Sequence, residues 1–188
     1  MALSLINRLA TLAGIGGLLA GCCANNVCNC PSEAQADAVR IVFDKSKFQS
    51  PEDLDTLMLV RYLHYDVKNP PAILPKPETV TLIRTAKQIA ANDTVVINNA
   101  TPFSQLGSAR LDTFSYVVRY YPGSKPRLRP SKLALVIDRV KLNGGFEGNG
   151  CCTCYTNSRK LALARPDSTK PATYINLTSR HAVLPVTR

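Results

Sequence analysis

Short runs rich in β-branched and aromatic residues, separated by turn residues, recur along most of the chain. Val, Ile, Thr and Tyr dominate these runs, and such residues favour strands. Pro, Gly, Asn and Asp fill the gaps between them and mark turns or loops. Seven or eight strands at this spacing predict an all-β fold, an antiparallel β-sandwich of immunoglobulin-like type, with a small barrel as the alternative. The runs are residues 38–43, 56–65, 79–83, 94–97, 113–121, 133–140, 161–163 and 173–177.

A long amphipathic helical pattern is not found in the sequence. Residues 32–38 fit either a short helix or a linker, and residues 82–91 contain TAKQIAA, which fits a helical turn. Segments 54–62 and 111–120 resemble each other, and we interpret them as analogous strands in the two halves of the sandwich. The glycine-rich segment 144–150 lacks the Lys and helix context of a phosphate loop, so we expect a flexible hairpin end there.

The first 21 residues differ from the rest. One positive charge, Arg8, precedes an uncharged run rich in Leu, Ala and Gly over residues 9–21. A charged start, a short apolar run and small residues at its end are typical of a secretory signal. The run is too short for a membrane span, which needs about 20 apolar residues. A buried helix is the alternative, but its three glycines would each weaken it by about 1 kcal/mol relative to Ala.

The signal-like segment ends in Leu19-Ala20-Gly21-Cys22. This motif resembles the lipobox of bacterial lipoproteins, in which the signal is cut before the Cys and the Cys thiol receives a diacylglycerol. The resemblance implies a signal peptide over residues 1–21, acylation of Cys22 and membrane lipid as a partner. Two or three acyl chains anchor a protein stably. Cys23 follows where an inner-membrane retention signal would have Asp, which favours the outer membrane of the cell envelope.

After the anchor, the chain is expected to form a Cys-rich strap over residues 22–37 and one β-sandwich domain over residues 38–188. About 167 residues are enough for one domain with its own core. The arrangement of a lipobox followed by a β-rich domain resembles the envelope lipoproteins of Bacteroidota. Three short motifs resemble the O-glycosylation sites of exported proteins in that phylum, which implies modification at Thr56, Thr94 and Ser168.

Six cysteines remain once Cys22 carries lipid, and they form two groups of three. An even number in an exported chain predicts a disulfide framework, although six thiols allow 15 connectivities. We expect cross-pairing between the two groups, which would staple the strap to the body. The alternative is a Cu(I) or Zn(II) site at Cys28, Cys30, Cys152 and Cys154, although the spacing is not the usual zinc pattern. The disulfide candidates are Cys23, Cys28, Cys30, Cys151, Cys152 and Cys154.

The chain is basic, with 23 Lys and Arg against 13 Asp and Glu and a net charge of +10. The richest run is residues 119–132, which we interpret either as a site for an anion or as an ordinary solvated loop. Export disfavours nucleic acid as a partner, so an envelope protein or a glycan is the expected one. The candidate anion-binding residues are Arg119, Lys125, Arg127, Arg129 and Lys132.

Catalytic motifs are weak. His64 and His181 have no partner carboxylate nearby in the sequence, and no serine has the G-x-S-x-G context of a hydrolase. Asp138 and Glu147 could approach each other across the glycine-rich segment, as acid pairs do in glycoside hydrolysis, but we interpret them as surface residues. We expect no cofactor. The leading hypothesis is a non-enzymatic binding or assembly module, with a thiol-based metal binder and an envelope hydrolase as alternatives.

Overall fold

The structure, a computed structural model, describes residues 28–65, 68–69, 71–73, 75–91, 94–123, 129–149, 152–166 and 169–187. These residues contain nine strands and two short α-helices. The helices are α1 (Glu33–Asp37) and α2 (Ala86–Ala90). The strands are β1 (Val39–Phe43), β2 (Thr56–Leu63), β3 (Glu78–Ile83), β4 (Val95–Ile97), β5 (Phe114–Tyr120), β6 (Lys132–Asn149), β7 (Cys152–Arg165), β8 (Thr173–Asn176) and β9 (Leu184–Val186).

The strands form two sheets. The larger sheet has six strands in the order β3-β2-β5-β6-β7-β8, and every neighbouring pair in it is antiparallel. The smaller sheet has three strands in the order β4-β1-β9. In that sheet β1 pairs with β4 antiparallel and with β9 parallel. The chain is therefore all-β as predicted, with one parallel pair among its described strands.

One hydrophobic core joins the two sheets. Alternate residues of β1 and β5 are buried, as expected for strands that cover a core with one face. The ring of Phe48 links the sheets, because its centroid lies 5.9 Å from that of Phe43 in β1 and 5.2 Å from that of Tyr120 in β5. These contacts confirm the predicted sandwich.

Both segments for which the sequence suggested helical structure form short helices, and each helix begins with a capping box. Ser32 accepts a hydrogen bond from the backbone N–H of Gln35, whose side chain accepts one from the backbone N–H of Ser32. Thr85 and Gln88 make the same reciprocal pair at the start of α2. Such pairs satisfy the free donors of a first turn, which is how segments of five residues hold a helical form.

The two longest strands, β6 and β7, form an extended antiparallel hairpin, here called the arm. Pairing continues through Gly144 opposite Asn157 and out to Asn149 opposite Cys152. We expected a flexible hairpin end over residues 144–150, whereas the described residues 144–149 of this segment are paired strand. A register shift between Asn143 and Gly144 accommodates the glycines within the strand.

The two segments of similar sequence do not lie in opposite halves of the sandwich. Each consists of a 3₁₀ turn followed by a strand, β2 or β5. These strands are direct neighbours in the six-stranded sheet, with Val60 opposite Val117. The interpretation as strands of two halves was wrong, because the antiparallel pairing of β2 with β5 keeps them in one sheet.

Candidate functional site

Two disulfides fasten the described part of the strap, residues 28–37, to the arm. Cys28 pairs with Cys152 and Cys30 with Cys154, with Cα–Cα distances of 5.6 and 5.3 Å. Both links span 124 residues, so the strap runs alongside β7 in a fixed register. This confirms the disulfide-tied strap and the cross-pairing. In the chain-entropy model the first link contributes about 5 kcal/mol, and the second, which closes a ring of about six residues, contributes about 2 kcal/mol.

The other end of the described strap is held by Asp37, the last residue of α1. Its side chain is fully buried. Arg110 donates to Oδ2 through Nε at 3.2 Å and Nη2 at 2.8 Å, and Asn99 donates to the same oxygen at 3.1 Å. Asn157 donates to Oδ1 at 2.9 Å, and the Tyr155 hydroxyl donates to it at 3.3 Å. A buried charge needs such partners, and Asp37 has them from both the body and the arm.

Tyr155 connects this network to the arm. Its hydroxyl also accepts a short hydrogen bond from Arg110, and its ring packs edge-on against Phe146. Gly144 of β6 lies directly beneath the Tyr155 hydroxyl, where a Cβ would overlap it. Burial and the charge of Asp37 raise the pKa of Tyr155 despite the opposing bond from Arg110, so the phenol is neutral at pH 7. Burial lowers the pKa of Arg110, but the hydrogen bonds to Asp37 and Tyr155 raise it overall.

Lys160 of β7 binds the strap backbone. Its Nζ donates to the carbonyl oxygens of Ala36 and Ala38, both at 2.9 Å, and only 3% of the residue is exposed. Asn157 adds a bond to the Ala36 carbonyl at 3.0 Å. Burial lowers the pKa of the Lys160 ammonium, the charge of Arg40 lowers it further, and Asp37 acts in the opposite direction.

A pocket of about 290 Å³ lies between the strap and β7. Pro31, Gln35 and Ala36 contribute the strap side. Three cationic residues line it, and none of its lining residues is Asp or Glu. The remaining lining residues are Arg40, Tyr155, Thr156, Asn157, Lys160, Thr178 and Arg180.

The predicted basic loop is only partly within the described residues. Lys125 and Arg127 lie outside them. Arg119 is occupied locally, since its guanidinium donates to the hydroxyl and the carbonyl of Ser131, both at 2.9 Å. Arg129 and Lys132 are exposed and line different surface depressions. Among the described residues, these three side chains do not converge on one pocket.

Several other predicted positions also lie outside the described residues: the signal segment 1–21, Cys22, Cys23, Cys151 and Ser168. Thr56 begins β2 and Thr94 immediately precedes β4, and both are half-buried.

The four sulfurs of the alternative metal site are all in disulfides and present no thiolate. Within the described part of the chain, no group of three or more His, Cys, Asp or Glu could hold a metal ion.

The possible acid pair does not form. Asp138 and Glu147 lie on the same strand, nine residues apart, which corresponds to about 30 Å at 3.3 Å per residue. Asp138 instead pairs with Arg165 at 3.4 Å on the surface.

His64 and His181 are both exposed. No helix in the described part of the chain has the length and apolar character that a membrane crossing requires.

The pocket and its supporting carboxylate were missed by the analysis of the sequence. Their residues come from the strap, β1, the β4–β5 connection, β7 and the segment after β8, and no local motif joins these segments. The one available signal was the pair of Cys-x-Cys motifs, which indicated that the strap meets the body of the protein.

No family model, curated protein or solved structure matches this chain.

Proposed function

We propose that this protein is a lipid-anchored lipoprotein of the bacterial cell envelope that acts as a non-enzymatic binding or assembly module. The observation that carries the proposal is the pair of disulfides that begins at Cys28, six residues after Cys22. Disulfides persist in oxidising compartments such as the bacterial periplasm and the cell surface. The lipobox-like motif supports export by an independent route, since it depends on residues 19–22 alone.

The short distance from Cys22 to the first disulfide of the strap is consistent with an anchored protein. Six residue steps separate Cys22 from Cys28, and an extended chain of that length spans at most about 20 Å. Because Cys28 is tied to the arm, an acyl group on Cys22 would keep the arm within that distance of the membrane. The outer membrane is the expected site, and the pocket beside the strap is the surface we propose for recognition.

The test is the intact mass of the full chain extracted from membranes. We expect loss of residues 1–21 and a mass gain of a diacylglyceryl group plus an amide-linked acyl chain on Cys22. Cys22→Ser should abolish the gain and leave the protein unanchored. Cys23→Ser, one residue away, is the matched control and should still be processed and acylated. A native chain with an intact, unacylated N-terminus would overturn the proposal.

Thiol alkylation of the same sample tests the redox state. We expect Cys28, Cys30, Cys152 and Cys154 to react only after reduction. Reaction of all four without reduction, together with a metal ion that co-purifies, would contradict the stapled module and support the thiol-based metal binder instead.

A further inference from the structure

We infer that the pocket between the strap and β7 binds a small polar molecule through an oxyanion, a carboxylate or a phosphate. This inference deepens the proposed function, because it names a ligand class for the binding module and depends on that module being a binding protein. It starts from the unbalanced charge of the pocket. Arg40, Lys160 and Arg180 line it, and none of its other lining residues is acidic.

The Asp37 carboxylate, which bonds to the lining residues Tyr155 and Asn157, is already committed to other donors. Asp37 is fully buried and already accepts hydrogen bonds from Asn99, Arg110, Tyr155 and Asn157. Its charge is matched by Arg110 at 2.8 Å. The positive charge of the pocket is therefore available to a ligand, and charge in a partly dry concave site attracts counter-ions more strongly than the same charge on an open surface.

Lys160 is fixed before any ligand arrives. Two of its three N–H donors bind the carbonyls of Ala36 and Ala38, and the residue is 3% exposed. One donor remains for a ligand in the pocket that this residue lines. An ammonium held in place by two hydrogen bonds loses little conformational freedom on binding, and such preorganisation increases affinity.

The two arginines lie toward solvent. Arg40 is half-buried, and its Nη1 donates to the carbonyl of Arg180 at 3.1 Å. Arg180 is exposed. Guanidinium groups bind carboxylate and phosphate oxygens through paired N–H donors. Arg40 and Arg180 would therefore hold the outer oxygens of an anion whose inner oxygen meets Lys160.

The rest of the lining sets the size and character of the ligand. A volume of about 290 Å³ is at the lower end of ligand pockets, so a molecule of monosaccharide size is the expected occupant. Gln35 offers a polar group, while Pro31 and the ring of Tyr155 offer apolar contact. This mixture suits a hydroxylated ring that carries one acidic group. Sugar acids and sugar phosphates share that chemistry.

The test is isothermal titration of the full-length protein in detergent with galacturonate, galactose 1-phosphate and neutral galactose, at low and high salt. We expect at least one of the two acids to bind at least tenfold more tightly than galactose, and salt to weaken its binding. Binding of only one acid identifies a carboxylate or a phosphate as the ligand group. Equal affinity for the acids and galactose, or no heat from either acid at millimolar concentration, would overturn the inference.

Variants locate the site. Arg40→Gln and Arg180→Gln should each weaken binding of the acid at least fivefold, because each removes one cation from the pocket. Arg159→Gln is the matched control, since Arg159 is exposed on the same strand as Lys160 but does not line the pocket. Equal effects of all three substitutions would show that overall charge alone attracts the anion, which contradicts the site.

The outcome separates the two proposals. A protein that is acylated and disulfide-bonded but binds neither acid refutes the pocket and leaves the anchored module standing. A protein that binds the acid but is never acylated refutes the location and leaves the pocket standing.

Discussion

Substitution of Asp37 by Asn is the sharpest test of how the strap is held. The change keeps the size and shape of a fully buried side chain and removes only its charge and one acceptor oxygen. In the structure, Oδ2 accepts from Asn99 and from two nitrogens of Arg110, and Oδ1 accepts from Asn157 and Tyr155. Whichever way the new amide turns, its NH₂ group faces at least two other donors.

The expected cost follows from these contacts. Hydrogen bonds to charged groups contribute about 1.5–3 kcal/mol each, and breaking a buried ion pair costs about 3–5 kcal/mol. The side chain of Arg110 is 38% exposed, so water partly compensates its lost partner. We therefore expect Asp37→Asn to lower the free energy of unfolding by about 3 kcal/mol. That is a large share of a typical domain stability of about 5–15 kcal/mol.

The assay is urea unfolding of the oxidised protein, followed by circular dichroism. Asp138→Asn is the matched control, because Asp138 and Arg165 form an exposed pair, 3.4 Å apart, with about a third of each side chain accessible. Such pairs contribute about 0–1 kcal/mol. If Asp37→Asn costs no more than Asp138→Asn, the buried network does not stabilise the strap and the reasoning fails.

Three further predictions concern the arm, the buried lysine and the disulfides. Gly144→Ala should lower the free energy of unfolding by about 1–3 kcal/mol in the same assay, because its Cβ would overlap the Tyr155 hydroxyl. Gly145→Ala is the control: a Cβ there meets nothing within 4 Å, so the free energy of unfolding should change by less than about 0.5 kcal/mol. Equal effects of the two substitutions would contradict the packing of Gly144 against Tyr155. The pKa of Lys160 is lower in the folded protein than its ordinary value of 10.5, so as pH rises towards 10.5 the unfolded chain holds more protons than the folded one. Wild type should therefore gain stability relative to Lys160→Met as pH rises towards 10.5, and parallel curves would refute this. Replacing Cys30 and Cys154 by Ser should cost about 2 kcal/mol, as should replacing Cys28 and Cys152, because the remaining link still closes the long loop. Replacing all four together with Cys23 and Cys151, so that no link can close that loop, should cost at least about 7 kcal/mol; a loss equal to the sum of the two pair losses would contradict the chain-entropy account.

Strand composition was a good guide to the core of the sandwich. Every run of β-branched and aromatic residues identified in the sequence overlaps a strand. The strand that was missed, β9, has three residues with Pro185 in the middle, a composition that does not suggest a strand. Its parallel pairing with β1 joins positions more than 140 residues apart, with Ile41 opposite Leu184, and no local pattern encodes such a contact.

The prediction for the arm was wrong because glycine occurs both in turns and in strands where a neighbouring side chain leaves no room for a Cβ. Gly144 and Gly145 contributed to the expectation of a flexible hairpin end, yet Gly144 lies in a strand where the Tyr155 hydroxyl occupies the place of a side chain. Arg61 shows a similar limit in β2. It takes an inward position among apolar residues, and the rings of Phe103 and Phe114 and the carboxylate of Glu78 compensate its charge. Gly144 depends on a partner in the neighbouring strand, and Arg61 on partners from later segments of the chain.

The strap is clamped at both ends of its described length, and this determines how a ligand can enter the pocket. The disulfides hold Cys28 and Cys30, and Asp37 and Lys160 hold the region of Ala36 to Ala38. Lifting the strap would require breaking covalent bonds or exposing a buried carboxylate without its partners. Exposure of the cations increases from Lys160 through Arg40 to Arg180, so Arg180 is the most accessible of the three. An anion would therefore meet Arg180 first and Lys160 last, without movement of the strap.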